Sequence, residues 1–157
     1  MISFSVSALE KAPVHRHGTL PEEFLDLAPD DLFQAAGEVD YDLNAALVSG
    51  GVLISGRMSV PLKSTCGRCL KEMQFTLAAE KLHLFMEITD AMEIVEADEE
   101  LRAELLLNLP MNPLCRPDCR GLCPECGCDL NEKICRCETG SSTLQESPWS
   151  ALDGLDL

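Results

Sequence analysis

Residues 38–62 read EVDYDLNAALVSGGVLISGRMSVPL, and no other part of the sequence says more about the fold. Apolar residues dominate on either side of the dipeptide Gly50-Gly51, which tolerates the positive φ of a tight turn. We therefore predict a hairpin of two strands, Glu38–Val48 and Val52–Leu62. The stretch indicates that a β-sheet lies at the centre of the protein.

Further elements are predicted on both sides of this hairpin. Apolar and polar residues alternate in 2–7 and largely in 73–87, which predicts two more strands. Residues 21–27 begin with proline and two glutamates, an order that favours a short helix. Residues 98–109 carry leucines at helical spacing, begin with acidic residues and stop at Pro110. We expect an α+β fold: an antiparallel β-meander sheet with one packed helix and a C-terminal, cysteine-rich, zinc-ribbon-like segment.

The composition changes after the helix, which predicts three parts in the 157-residue chain. Residues 1–110 form a β-rich domain with its helix at about 98–109. Residues 111–140 are rich in Cys, Pro and Gly and have no core periodicity, so something other than a hydrophobic core must hold them. Residues 141–157 are predicted as a linker and a short tail helix with an apolar stripe that includes Trp149.

The net charge of −15 excludes a generally basic nucleic-acid coat protein, although a local basic patch remains compatible with it. No secretory signal or membrane-spanning run is visible in the sequence, and we expect a cytoplasmic protein with reduced thiols. His15 and His17 are predicted in a loop and His83 on a strand. No arrangement of residues typical of an active site is present, and we expect no enzymatic activity.

Residues 43–71 are the only long stretch without an acidic residue. Its cations are candidates for contact with RNA phosphates, since acidic blocks on both sides would repel RNA elsewhere. Two other roles are open for them: exposed charges on strand faces, or neutralisation of nearby thiolates. These cations are Arg57, Lys63, Arg68 and Lys71.

The nine cysteines give the strongest signal. The segment Cys123-Pro-Glu-Cys126-Gly127 is a zinc-ribbon knuckle, and the pair Cys135 and Cys137 follows it. A second knuckle carries Cys66 and Cys69, for which a redox role is a weaker alternative. Four-cysteine sites without an open coordination position are structural, so we predict two structural zinc ions.

Two partitions of the cysteines are possible from the sequence, and in both Cys128 is left over. The preferred one joins Cys66 and Cys69 with Cys115 and Cys119, and Cys123 and Cys126 with Cys135 and Cys137. The rival one joins Cys115 and Cys119 with Cys123 and Cys126, and Cys66 and Cys69 with Cys135 and Cys137.

The motifs from about Val52 onward resemble the YceD family, the large ribosomal RNA subunit accumulation proteins of bacteria and plastids. The most specific part is Asp118-Cys-Arg-Gly-Leu-Cys-Pro-Glu-Cys-Gly127. The other parts are Cys66-Gly-Arg-Cys69-Leu70, Leu107-Asn-Leu-Pro110, the segment from Pro113 to the specific part, Leu130-Asn131 and Cys135-Arg-Cys137.

The resemblance implies a role in synthesis, processing or stability of 23S ribosomal RNA, with no established enzymatic activity. The expected partner is large-subunit ribosomal RNA or the pre-50S particle, contacted directly or through a protein; no membrane and no small-molecule substrate are expected. The alternative is a zinc-stabilised protein-protein adaptor that docks a partner through its Cys-rich segment.

Overall fold

The computed structural model describes residues 1–28, 31–89 and 93–137. Within these ranges a set of short and long strands alternates with short helices. In chain order the elements are β1 (Ser3–Ser5), α1 (Val6–Leu9), β2 (Val14–Leu20), a 3-10 helix (Glu22–Leu25), β3 (Phe33–Ala35), β4 (Val39–Val48), β5 (Gly51–Thr65), β6 (Glu72–Glu87), β7 (Ile94–Glu96) and α2 (Asp98–Leu106).

The main sheet is antiparallel and is built around β5. One edge of β5 pairs with β4 and then with β3, and the other edge pairs with β6 along nearly its whole length. β2 extends the sheet beyond β4, while β1 and β7 form a separate two-stranded sheet. The consecutive strands β4, β5 and β6 confirm the predicted antiparallel sheet.

The predicted turn between β4 and β5 is shifted by one residue. Val48 pairs with Gly51, so the two turn residues are Ser49 and Gly50, and Gly50 has the positive φ of 86°. Gly51 belongs to β5 for a different reason. A Cβ there would lie 2.2 Å from the carbonyl oxygen of Met86, so only glycine lets β6 approach this closely.

The inner face of the sheet is covered by α2, which makes the core. Leu43 of β4 and Ile54 of β5 are fully buried there, together with Leu101 and Leu105 of α2. The 3-10 helix closes the core at its side, where the Nε of Arg102 donates a hydrogen bond of 2.6 Å to the Phe24 carbonyl. The packing of α2 on an antiparallel sheet confirms the α+β class, and the one-turn helix α1 adds Leu9 to the same core.

Three predicted elements differ in the structure. The alternation in 2–7 gives a strand only at β1, because the chain turns into α1 at Val6. α2 ends at Leu106, three residues before the predicted end. Asn108 explains this, since its side chain donates to the Glu104 carbonyl while its backbone N–H bonds to Leu105, three residues back, and tightens the last turn. The short helix predicted at 21–27 is a 3-10 helix that covers only Glu22–Leu25.

The predicted loop around His15 and His17 is wrong, since both residues lie in β2. The strand was hidden because residues 15–17 are all polar, and only Leu20 among its members is buried. His15 instead faces β4, where its Nε2 lies 2.6 Å from Asp42 Oδ1. His83 lies on β6, as predicted. The predicted linker and tail helix, 141–157, lie outside the described residues.

Candidate metal centres

The loop between β5 and β6 brings Cys66 and Cys69 together. The Cys66 N–H donates to the Lys71 carbonyl at 2.9 Å and closes the loop at the end of the hairpin. The Leu70 N–H returns to the Cys66 carbonyl at 3.0 Å. Because β5 and β6 pair without interruption from Met58 to Thr65, the end of the hairpin holds the two thiols in a fixed orientation.

Cys115 and Cys119 reach the same place from the chain that follows α2. The anchor is a hydrogen bond of 2.8 Å from the Gly67 N–H to the Pro113 carbonyl. The sulfur of Cys119 then lies 3.8 Å from that of Cys66, and the sulfur of Cys115 lies 3.7 Å from that of Cys69. We call these four residues, Cys66, Cys69, Cys115 and Cys119, the first cluster.

The geometry of the first cluster fits a tetrahedral metal ion. All four sulfurs lie within 4.8 Å of one another. Zinc–sulfur bonds of about 2.3 Å place tetrahedral sulfurs about 3.8 Å apart, close to the two separations above. Cys66, Cys69 and Cys119 are buried, with Met73 and Leu114 packed around them. Cys115 is exposed, so the cluster can hold a metal ion that is shielded from water on three of its four sides.

Backbone amides prepare the first cluster for a cation. N–H groups of Cys69, Cys115 and Arg68 point at the Cys66 sulfur and lower the pKa of that thiol to about 6. Burial opposes ionisation of Cys119, but the Gly121 N–H and the Asn131 amide outweigh it and lower the pKa of that thiol too. Thiolates are the form that binds metal, so these donors favour the ligand state of Cys66 and Cys119. Burial and the neighbouring thiols act the other way on Cys115 and raise the pKa of that thiol to about 12.

Four more cysteines form a second group, Cys123, Cys126, Cys135 and Cys137, which we call the second cluster. The sulfur of Cys135 lies 3.3 Å from that of Cys123 and 3.6 Å from that of Cys126, and all four sulfurs lie within 4.8 Å. The knuckle is closed by the Gly127 N–H, which donates to the Cys123 carbonyl at 2.9 Å. Gly127 has a φ of 69°, the conformation expected of this position.

In the second cluster the surroundings favour the thiolate of Cys126, whereas the contact with Cys135 raises the pKa of Cys137 to about 12. This cluster is also less buried than the first. The Cys128 N–H, followed by the neighbouring thiols, lowers the pKa of Cys126 to about 6. Cys126 is exposed, and Cys135 and Cys137 are half-buried. Four thiols at these separations fit the same tetrahedral ion.

The eight sulfurs are grouped as in the preferred partition and not as in the rival one. Cys128 belongs to neither group of four. Its thiol packs beside Cys126 and Cys135, and the contact with Cys126, with burial, raises the pKa of Cys128 to about 12. It is the ninth cysteine that the sequence left unassigned.

The candidate RNA-binding cations have different surroundings. Arg57 and Lys63 are both exposed on the outer face of β5, while the residues between them alternate into the core. The Nη2 of Arg57 lies 3.4 Å from Asp42 Oδ2. Among the described residues no group pairs with Lys63. The face proposed from sequence spacing therefore has one free and one partly paired cation.

Arg68 and Lys71 are engaged within the protein. The Nη1 of Arg68 donates to the Cys119 carbonyl at 2.9 Å, which fastens the knuckle to the segment that carries Cys119. The ammonium of Lys71 lies 2.8 Å from Asp129 Oδ2 and also pairs with Glu132. These carboxylates raise the pKa of Lys71. No local sequence pattern indicates these partners, because they lie far along the chain.

The fold and the two clusters define a class of protein, a small antiparallel sheet domain that carries two candidate four-cysteine metal centres. Comparison with known families shows which family part of this chain is similar to. Residues 86–156 match the family model described as large ribosomal RNA subunit accumulation protein YceD. The match confirms the resemblance over this part of the chain, which contains the second cluster, Cys115 and Cys119 but not Cys66 or Cys69.

The chain is also similar to mycobacterial proteins whose titles call them uncharacterized. A Mycobacterium bovis protein and a Mycobacterium tuberculosis protein are each 33% identical over 106 residues, which is 59% of this chain and 51% of the relative. A Mycobacterium leprae protein is 32% identical over 106 residues, 59% of this chain and 49% of that protein.

The chain therefore spans about half the length of the curated relatives it matches. No solved structure matches it. Among the helices of the described ranges, none has the length and apolar character required to cross a bilayer.

Proposed function

We propose that this protein is a non-enzymatic ribosome-biogenesis factor of the cytoplasm that supports synthesis, processing or stability of 23S ribosomal RNA in the large subunit. The observation that carries the proposal is the match of residues 86–156 to a family described by large ribosomal RNA subunit accumulation. The partner is large-subunit ribosomal RNA or the pre-50S particle, contacted directly or through a protein.

Two structural zinc ions are part of this proposal. All-thiolate, tetrahedral sites favour zinc over the cations that prefer oxygen ligands. The sulfur separations and the amide donors described above support that choice. Each ion would replace a hydrophobic core in holding residues 111–137, a segment in which Met111 and Ile134 are almost fully exposed.

The RNA contact is proposed at the outer face of β5. Lys63 and Arg57 are exposed there, and a phosphate can compete with Asp42 for the arginine because the pair lies at the surface. Arg68 and Lys71 make contacts within the protein, so they are not free to bind phosphates. They still contribute to the positive potential near this face. Lys63 is therefore the strongest candidate of the four.

A genetic test addresses this face. In cells that lack the gene, the Arg57→Glu, Lys63→Glu double variant should keep its zinc but fail to restore mature large-subunit ribosomal RNA. Lys63→Glu alone should show most of the defect, and Lys11→Glu is the matched control because it makes the same charge change outside the sheet. Full restoration of ribosomal RNA by the double variant would rule out the basic face.

The alternative function, a zinc-stabilised adaptor, is favoured by a specific observation. Large apolar residues are exposed around the cysteine-rich region: Leu70 is 64% exposed, Met111 102% and Ile134 93%. Such residues are typical of a protein-docking surface when they cluster. The acidic net charge of −15 also repels free RNA.

Copurification separates the two functions. The tagged protein is isolated from cells before and after ribonuclease treatment, at low and at moderate salt. A direct RNA contact predicts that ribosomal RNA is bound and is lost on raising the salt, since each phosphate contact contributes about one unit to the log–log salt slope. An adaptor predicts a protein partner that is kept after ribonuclease treatment and at moderate salt.

A further inference from the structure

Asn131 lies in the loop that the second cluster closes. The loop runs from Cys126 to Cys135. It reverses direction in a tight turn, in which the Asn131 N–H donates to Asp129 Oδ1 at 2.8 Å. The loop contains little buried apolar surface, since Ile134 is 93% exposed. Its conformation therefore depends on the cysteines at its two ends and on polar contacts such as the hydrogen bond of 2.9 Å from the Leu130 N–H to the Gly121 carbonyl.

The side chain of Asn131 nevertheless reaches the first cluster. Its Nδ2 lies 3.5 Å from the sulfur of Cys119 and donates toward it. Its Oδ1 accepts the Arg120 N–H at 2.9 Å and the Arg116 Nη2 at 2.8 Å. One amide therefore supplies a hydrogen bond to a sulfur of the first cluster and fixes the turn that carries this sulfur.

The same loop contacts the other half of the first cluster through Lys71. The ammonium of Lys71 pairs with Asp129 and Glu132, which flank Asn131. The carbonyl of Lys71 accepts the Cys66 N–H at 2.9 Å. The loop is thus joined both to the β5–β6 knuckle and to the segment after α2, the two parts of the chain that supply the first four sulfurs.

We propose that Asn131 is a positioning residue for the first metal site and that it couples the two sites, so that metal binding at the second cluster raises metal affinity at the first. The proposal rests on the zinc sites of the proposed function. An ordered loop holds the Asn131 donor against Cys119, and an open loop withdraws it. Coupling of binding free energies is reciprocal, so metal at the first cluster also favours the closed loop.

The test uses the full chain loaded with cadmium, because cadmium NMR gives one resonance for each site and resolves the affinity of each by chelator competition. Asn131→Ala should lower the affinity of the first site by about tenfold, the low end of the range for loss of a hydrogen bond to a metal ligand. Removal of the second site by Cys126→Ser with Cys135→Ser should lower first-site affinity by a similar factor. Adding Asn131→Ala to that pair should change it no further.

The control is Lys133→Ala, a change in the same loop at a residue whose side chain has no contact with either cluster among the described residues. It should leave both affinities unchanged. The coupling is overturned if the wild-type protein binds two metals and neither Asn131→Ala nor the double cysteine variant alters the affinity of the first site. That result would leave the zinc function standing. Wild-type protein that takes up no metal would overturn both. If Asn131→Ala does not fold, the double cysteine variant alone decides the question.

Discussion

The two clusters each offer four cysteine thiols at similar separations, yet they differ in burial and in the elements that hold them. The first has three buried cysteines, with Met73 and Leu114 packed on them, and half of its ligands lie on a hairpin of the main sheet. The second has one buried cysteine, Cys123, and is enclosed mainly by its own loop. Identical coordination chemistry can thus serve two purposes: the first cluster joins the sheet to a distant segment, and the second shapes a local loop.

The largest expected difference is between Cys66→Ser and Cys135→Ser. Cys66→Ser should remove the first metal and release residues 111–137 from the sheet, because zinc binding in such small units provides folding free energy on the order of 10 kcal/mol. Cys135→Ser should loosen the loop and leave the sheet intact. Zinc content and limited proteolysis distinguish the variants. Indistinguishable cleavage patterns would mean that the clusters do not differ in this way.

Chelator treatment should sharpen the same contrast in the unmodified protein. We expect zinc release in two phases, the fast one from the second cluster, because only one of its four cysteines is buried whereas three of the four in the first cluster are. A chromogenic chelator measures the two rates. The variant with Cys126→Ser and Cys135→Ser identifies the phases, since it should lack the fast one. A fast phase retained in this variant would reverse the assignment.

A smaller effect is expected at the ion pair between the clusters. Lys71→Met should lower the free energy of unfolding by about 1–2 kcal/mol, the range for a buried polar group that loses its partner. The reason is Asp129, whose side chain is only 14% exposed. Its buried Oδ2 lies 2.8 Å from the ammonium and would lose this charged partner. Denaturant unfolding measures the change. Lys133→Met is the control, and an equal loss there would show that general charge, not this pair, is responsible.

The smallest effect concerns the residue after each knuckle. Leu70 has a φ of 59°, the left-handed conformation that Gly127 adopts at the same position of the second knuckle. Strain in a non-glycine residue there is about 1–2 kcal/mol, partly offset by the greater freedom of glycine in the unfolded chain. Leu70→Gly should therefore stabilise the protein by about 0.5–1 kcal/mol in thermal or denaturant unfolding.

The reciprocal change tests the same comparison. Gly127→Ala should destabilise by a similar amount, about 1 kcal/mol, through backbone strain alone, because a Cβ there meets nothing within 4 Å. Destabilisation by Leu70→Gly would show that the leucine side chain makes a stabilising contact that outweighs its strain.

Much of the sheet could be predicted from the sequence, and the errors have clear physical causes. β4, β5 and β6 were predicted to within a few residues because their inward positions are apolar at alternate residues. β3 and β7 were missed because three residues are too few to establish a period. β2 was missed because it is an edge strand whose central residues, 15–17, are all polar.

The candidate centres divide in the same way. Cysteine spacing was enough to identify eight candidate ligands. Their grouping depends on where the chain that follows α2 meets the sheet, and local spacing carries no information about that contact. The role of Asn131 was missed for a related reason. The sequence marks residues 129–131 only as a turn, whereas the contact with Cys119 exists because the loop folds back over the first cluster.

The β5–β6 hairpin has a consequence for the order in which the chain acquires its structure. Its two thiols are separated by a short turn, whereas Cys119 is 53 residues away from Cys66 along the chain. Local contacts form faster than distant ones, because closing a long loop costs more entropy. We expect the hairpin to present a two-sulfur half-site early in folding, so that a metal ion captured there recruits the distant segment and acts as the nucleus on which the rest of the molecule assembles.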